Sequence, residues 1–147
     1  MIENPLIQGL RRAGAKLTAQ RLAICNWLYG NTSHPTVADV YEALRHDFPT
    51  MSLATVYNTI SLLADLDLIH EVGTAEDGST RYDTNTTPHV NLVCRRCNTI
   101  IDVLDVDLSA LATLGPSYGF EVADVNVVLH GLCAACRAEM QQAQVTN

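Results

Sequence analysis

Four of the five cysteines in this 147-residue chain fall into two Cys-x-x-Cys pairs, and this spacing constrains the fold more than any other feature. The pairs are Cys94 with Cys97 and Cys133 with Cys136. Four thiolates in two such pairs form the tetrahedral all-sulfur site of structural Zn²⁺, which leaves no coordination position open for catalysis. We therefore predict a structural zinc that ties the C-terminal segment to the middle of the chain. A four-cysteine iron protein or a thiol redox protein is the alternative of another class.

The composition of the chain limits the classes of protein to which it can belong. With 48 % hydrophobic residues, the chain has enough apolar side chains to bury real cores in one large or two small domains. No run of 18 apolar residues suggests a membrane span, and the N-terminal residues lack the pattern of a signal peptide. Cysteines in metal-binding pairs are typical of intracellular proteins, so we expect a cytoplasmic location. No nucleophile–base pair is apparent, and we expect no enzymatic activity.

The formal charge of −7 is distributed unevenly along the chain. Residues 1–66 contain five basic and five acidic side chains, whereas residues 67–147 contain four basic and eleven acidic ones. Only the neutral first half is therefore suited to approach a phosphate backbone, while the acidic second half is suited to binding cations. This asymmetry indicates two domains.

The first half has apolar residues at helical spacing in four segments, each preceded by a residue that commonly caps helix N-termini. The predicted caps are Asn4, Thr18, Thr36 and Ser52. For the fourth helix we predict a buried face formed by Leu53, Val56, Ile60 and Leu63. Compact helices joined by short connections are typical of a helix-turn-helix bundle.

After the fourth helix the apolar period changes from 3.6 to 2. Residues 68–72 and 79–83 flank the turn Glu76-Asp77-Gly78, which is a strong hairpin signal. A helix-turn-helix followed by a hairpin predicts a winged-helix DNA-binding domain over residues 1–83. The polar residues 84–88 are predicted to form a hinge.

The fourth helix carries uncharged polar side chains away from its apolar face, which favours contacts with base edges over an ordinary charged surface. Lys16, before the second helix, is predicted to enter a minor groove, and Arg21 to contact a phosphate. The predicted DNA-binding residues are Lys16, Arg21, Ser52, Thr55, Tyr57 and Asn58.

Residues 89–147 are predicted to form a small α/β domain. We expect strands at 90–94, 99–104 and 121–129, and helices at 108–114 and 134–141. Three strands and so little helix cannot cover both faces of the sheet, so this domain is predicted to form a homodimer. The fold class is α+β: an N-terminal winged helix-turn-helix domain and a small α/β dimerisation domain with a four-cysteine zinc site.

Five further residues offer nitrogen or oxygen ligands for a second metal. His89 and Asn91 are two apart on one strand, so their side chains leave the same face. Imidazole, carboxylate and amide oxygen together suit Fe²⁺ or Mn²⁺ better than a soft metal. A site drawing on both domains would fix the angle between them. The predicted regulatory ligands are His34, Asp83, His89, Asn91 and Asp102.

Six segments, spread over nearly the whole chain, together resemble the ferric uptake regulator family. They are residues 13–21, 33–41, 52–59, 79–83, 89–97 and 131–136. The resemblance implies a dimeric repressor with structural zinc, whose binding to a palindromic operator is switched by a regulatory metal.

Within that family, Asp83 together with His34, His89 and Asp102 resembles the branch of peroxide-responsive repressors. In that branch iron reacts with hydrogen peroxide, and the hydroxyl radical formed oxidises ligand histidines, which His34 and His89 match. An iron- or manganese-responsive uptake repressor is the alternative within the family. Asn91 departs from the common pattern, which has a second histidine at that position.

Overall fold

The computed structural model describes residues 3–145 of the chain. It divides into two compact units, Met1–Thr86 and Thr87–Asn147. The boundary falls inside the segment predicted as a hinge, and the functional boundaries of the domains stay a prediction. No helix within residues 3–145 is long and apolar enough to cross a membrane.

The first unit contains four helices: α1 (Pro5–Arg12), α2 (Ala19–Leu28), α3 (Val37–Leu44) and α4 (Leu53–Asp65). All four predicted caps are confirmed, because each cap side chain accepts a hydrogen bond from a backbone N–H in the first turn. At α3 the bonding is reciprocal, since the Asp39 carboxylate also accepts from the Thr36 backbone N–H.

The core of this unit is built from the apolar faces of the four helices. Val56, Ile60 and Leu63 of α4 are fully buried, as predicted. The prediction for Leu53 is wrong: this side chain is 51 % exposed. Leu53 is the first residue of α4, and helical side chains point back towards the N-terminus, so it projects beyond the packed turns. Thr59 is instead buried on the inner face.

The predicted hairpin is confirmed as β1 (His70–Thr74) and β2 (Thr80–Asp83), paired antiparallel. Its turn is closed by two backbone hydrogen bonds, from Gly78 to the Ala75 carbonyl and from Ala75 to the Ser79 carbonyl. Gly78 has φ +84°, which a residue without a side chain adopts at little cost. Helices followed by this hairpin make the first unit a winged helix.

The second unit holds a three-stranded sheet with β3 (Val90–Cys94) at its centre. β4 (Ile100–Val103) pairs with it antiparallel, and β5 (Val127–Gly131) pairs with it parallel. One-turn helix α5 (Ser109–Ala112) and a 3₁₀ turn, Pro116–Tyr118, lie between β4 and β5. Helix α6 (Ala134–Val145) follows β5.

The third strand of this unit is shorter than predicted, because residues 121–126 form no strand. The reason is the length of β3, whose first residue, Val90, already pairs with Val127. An extended segment before Val127 has no partner on β3, and alternation of side chains alone cannot reveal that. Helix α6 in turn extends beyond its predicted end at residue 141.

Candidate functional site

The four paired cysteines converge in the second unit. Their sulfur atoms all lie within 4.8 Å of one another, and the Sγ atoms of Cys97 and Cys133 are 3.7 Å apart. Sulfur atoms at the corners of a tetrahedron around zinc, each about 2.3 Å from the metal, are separated by about 3.8 Å. The cluster therefore fits structural zinc. All five cysteines are free thiols, and Cys25 lies in the core of the first unit, as expected.

Local backbone structure brings each pair to the cluster. Cys94 ends β3, and a tight turn closes when the Asn98 N–H donates to the Cys94 carbonyl at 2.9 Å. Asn98 adopts φ +63°, a conformation that Asn tolerates better than most residues. Cys133 directly precedes α6, and its sulfur lies 3.5 Å from the Cys136 backbone nitrogen.

The thiols differ in their readiness to ionise. A hydrogen bond from the backbone of Cys133, with others from Cys97 and Arg96, lowers the pKa of Cys94 to about 6. The Thr99 hydroxyl, 3.0 Å from the sulfur of Cys97, lowers the pKa of that thiol. Burial raises the pKa of Cys136 to about 12. Backbone N–H groups thus prepare part of the cluster for ionisation, and a bound cation is needed to hold all four thiolates together.

An ion pair outside the cluster connects its two halves. The Arg96 guanidinium lies 2.6 Å from the Glu139 carboxylate on α6 and also donates to the Cys136 carbonyl at 3.4 Å. Sequence reasoning missed both Arg96 and Thr99. Each lies within or just after the Cys-x-x-Cys turn, which is the only sequence signal that marks them.

The second unit also brings together three predicted regulatory ligands, His89, Asn91 and Asp102. Asn91 on β3 pairs directly with Asp102 on β4. The Nδ1 atom of His89 lies 2.7 Å from the Thr87 carbonyl, and since a carbonyl only accepts, Nδ1 donates.

In the neutral His89 ring, Nε2 therefore carries the lone pair, and it lies 3.6 Å from Oδ1 of Asp102. Two ligand atoms each about 2.1 Å from one metal are about 3 to 3.5 Å apart, which is close to this spacing. Asn91 is 1 % exposed and His89 is 5 % exposed. This patch has the donor chemistry of a metal site.

The first unit positions the other two predicted ligands, His34 and Asp83. Strand β2 holds the loop before α3, because Arg81 Nε donates to the His34 carbonyl at 2.9 Å and Tyr82 N–H donates to the Pro35 carbonyl at 3.0 Å. His34 adopts φ +52° in that loop. A ligand atom of His34 lies within 4.8 Å of the Asp83 carboxylate, and both residues are buried.

A surface hollow of about 610 Å³ in the first unit brings four of the predicted DNA-binding residues together. Lys16 lines it from the loop before α2, Arg21 from the first turn of α2, and Thr55 and Asn58 from α4. Arg21 Nη1 donates to the Lys16 carbonyl at 2.9 Å, which holds the loop before α2 against the helix.

The other two predicted DNA-binding residues lie outside the lining of that hollow. The Ser52 hydroxyl caps α4 by accepting from the Thr55 N–H, and Tyr57 projects into solvent. Gln20, which sequence reasoning missed, lines the hollow, and its amide donates to the Thr50 hydroxyl. Only its place next to Arg21 in the first turn of α2 could have pointed to it.

The sequence profile described as the ferric uptake regulator family matches residues 12–130. The chain belongs to this family. It is 35 % identical over 132 residues to the peroxide-responsive repressor PerR of Staphylococcus aureus strain USA300, covering 89 % of this chain and 88 % of that protein. Members of the family are metal-binding, DNA-binding transcription regulators, and the resemblance predicted from the sequence is confirmed.

Solved structures show the same fold. PerR of Streptococcus pyogenes, described in connection with peroxide sensing and gene regulation, matches with 35 % identity and a TM-score of 0.51, over 89 % of this chain and 90 % of that chain. The ferric uptake regulator of Pseudomonas aeruginosa with manganese matches with 27 % identity and a TM-score of 0.71, over 91 % of this chain and 99 % of that one. The predicted fold class, a winged helix with a dimerisation domain, is confirmed.

Proposed function

We propose that this chain is a dimeric, metal-dependent transcriptional repressor that senses peroxide through oxidation of its ligand histidines. The observation that carries the proposal is the geometry of the second unit, where the lone pair of His89 Nε2 faces the Asp102 carboxylate at 3.6 Å beside the buried Asn91 amide. The family membership and the 35 % identity to PerR support the same reading.

Two metals have different tasks in this proposal. Zinc bound by Cys94, Cys97, Cys133 and Cys136 stabilises the second unit, as a closed four-thiolate site does. Fe²⁺ or Mn²⁺ takes the regulatory ligands. These metals commonly use five or six ligands, whereas the second unit offers three donors and the first unit two. We therefore propose that one ion takes all five: His34, Asp83, His89, Asn91 and Asp102.

The signal is carried by the two histidines. Iron in this site would supply the electron that splits hydrogen peroxide. Each molecule of peroxide would then add one oxygen atom to one imidazole ring, that of His34 or of His89, while its other oxygen leaves as water. An oxidised ring loses the lone pair with which it binds the metal. Because the ligands come from both units, loss of one of them releases the constraint on the DNA-binding unit. The expected outcome is release of the operator.

Dimerisation is supported by the sheet of the second unit. Within residues 3–145 no strand pairs with the outer edge of β5, and an exposed strand edge readily adds another strand. Large apolar side chains are exposed on the same unit, among them Ile101, Leu104 and Leu129. A dimer presents two winged helices related by a two-fold axis, which matches a palindromic operator.

Mass spectrometry of the metal-loaded protein tests the peroxide mechanism. Protein containing zinc and Fe²⁺ is exposed to hydrogen peroxide, and operator release is followed by fluorescence anisotropy. We expect an added oxygen on the peptides containing His34 and His89, together with loss of DNA binding. His46 and His130 are exposed histidines outside the proposed site and serve as internal controls.

The Mn²⁺-loaded protein should bind the operator and remain bound after peroxide. Oxidation confined to cysteines, or equal oxidation at His46 and His130, would contradict the histidine mechanism. Equal release from the Mn²⁺ form would favour a thiol switch. A repressor that binds DNA with Fe²⁺ or Mn²⁺ but ignores peroxide would be the alternative within the family, an uptake regulator.

A further inference from the structure

We propose that Asn91 sets the metal selectivity of the regulatory site. It offers an amide oxygen where the common pattern of the family has a histidine nitrogen. This exchange reduces the ratio of the affinity for Fe²⁺ to the affinity for Mn²⁺. The inference rests on the proposed function, because it concerns the same site. It goes further by naming one side chain and the property of the metal that this side chain controls.

The backbone fixes the position of Asn91 more firmly than that of the other ligands. β3 is the central strand, and Asn91 pairs with Asp102 on one side and with Val128 on the other. His89 precedes it by two residues, so both side chains leave the same face. With 1 % of its surface exposed, Asn91 cannot turn outwards into solvent. Whatever donor stands at position 91 is therefore presented to the metal beside His89 and Asp102.

The donor at position 91 decides whether nitrogen or oxygen atoms are more numerous among the five proposed ligands. His34 and His89 supply imidazole nitrogen, and Asp83 and Asp102 supply carboxylate oxygen. With an amide as the fifth donor, three of the five ligand atoms are oxygen. With an imidazole as the fifth donor, three of the five are nitrogen. Imidazole ligands suit Fe²⁺, Co²⁺ and Zn²⁺, whereas carboxylate and carbonyl oxygens suit Mn²⁺.

Charge does not complicate this comparison. An amide and a neutral imidazole carry no charge, so the two carboxylates balance a divalent ion in either case. The difference between Asn and His at this position is therefore one of donor atom alone. Mn²⁺, which lies below Fe²⁺ in intrinsic affinity for a given set of ligands, loses least when nitrogen is replaced by oxygen.

The consequence concerns regulation. Since Mn²⁺ competes better for an oxygen-rich site, part of the repressor carries Mn²⁺ and holds the operator without responding to peroxide. The ratio of available Mn²⁺ to Fe²⁺ then sets the fraction of repressor that peroxide can inactivate. Asn91 shifts the balance of the two forms towards the Mn²⁺ form, which peroxide does not inactivate.

The test compares affinities for two metals in the full-length, zinc-loaded protein. Mn²⁺ binding is followed by electron paramagnetic resonance, and Co²⁺, an air-stable metal that prefers nitrogen, is followed by its visible absorption. We expect Asn91→His to raise affinity for Co²⁺ about tenfold more than affinity for Mn²⁺. Gln141→His places an imidazole on the exposed face of α6 and should change neither affinity.

A second variant separates donor atom from charge. Asn91→Asp keeps the shape and the oxygen and adds a charge, so it should raise both affinities and leave their ratio within about threefold of the wild-type ratio. It also keeps the inference testable if Asn91→His does not fold, which zinc content and circular dichroism will reveal.

The outcomes are distinct. An equal change in both affinities for Asn91→His, or a ratio that widens as much for Asn91→Asp, would overturn the inference while leaving the proposed function intact. If neither Mn²⁺ nor Co²⁺ binds beyond the zinc site in any variant, the proposed function fails, and the inference fails with it.

Discussion

The two cations that line the hollow between α2 and α4 allow a quantitative prediction of the salt dependence of DNA binding. Two cations, Lys16 and Arg21, line it in each protomer. Two other cations of the same unit are neutralised locally, since Arg11 pairs with Glu3 and Arg45 lies 3.3 Å from Glu42. A dimer that neutralises four phosphates has a slope of log K against log salt of about −3.6.

Between 50 and 200 mM salt that slope corresponds to a loss of affinity of about 150-fold. Lys16→Ala removes one cation from each protomer, and the Lys16 backbone carbonyl remains to hold Arg21. The slope of this variant should fall to about −1.8, which corresponds to a loss of only about 12-fold over the same range.

The assay is fluorescence anisotropy of the Mn²⁺-loaded protein on a labelled duplex selected from random DNA. Arg45→Ala is the matched control, because it removes a cation of the same unit that is already paired with Glu42. Its slope should equal that of the wild type. The reasoning is refuted if Lys16→Ala leaves the slope unchanged, or if Arg45→Ala reduces it equally.

Three further predictions concern stability and assembly. Thr99→Val should weaken zinc binding about 10- to 100-fold in a chelator competition, because it removes the hydroxyl 3.0 Å from Cys97 Sγ, whereas Thr99→Ser should retain it. Leu129→Asp should convert the dimer to a monomer in light scattering, whereas Tyr29→Asp, on the first unit, should not. Burial raises the pKa of Cys25 from 9.0 to about 11, so the midpoint of urea unfolding should fall as pH rises through this range, and Cys25→Ala should make that fall smaller.

Features of the fold that depend on local chemistry could be predicted from the sequence. The caps Asn4, Thr18, Thr36 and Ser52 satisfy backbone groups within their own helix, so a few neighbouring residues decide them. The prediction of a strand over residues 121–126 is wrong because a strand needs a partner to pair with, and β3 is too short to supply one. The prediction that Leu53 is buried is wrong because the spacing of apolar residues along a helix does not show at which turn its packing against other helices ends.

The same distinction applies to the sites. Ligand spacing is a property of the chain, and the two Cys-x-x-Cys pairs therefore predict a cluster that the structure contains. Support from distant residues is a property of the fold: Arg96 reaches Glu139 on α6, and Gln20 reaches Thr50 in the loop before α4. Neither pair is apparent from the sequence, because the two residues of each pair are distant along the chain and meet only in the folded protein.

Strand β3 connects the zinc cluster with the proposed regulatory site and implies an order of dependence between them. Asn91 lies near its start and Cys94 at its end, and β3 pairs with β4 and β5 over the same residues. The zinc cluster fixes this sheet, and with it the Asn91–Asp102 register on which the proposed regulatory site depends. Cys97→Ser should therefore abolish Mn²⁺ binding as well as zinc binding. Loss of the regulatory metal affects side chains on one face of the sheet and leaves its backbone pairing intact, so His89→Ala should lose Mn²⁺ and retain full zinc content. Full Mn²⁺ affinity in a zinc-free protein would show that the sheet holds its register without the cluster.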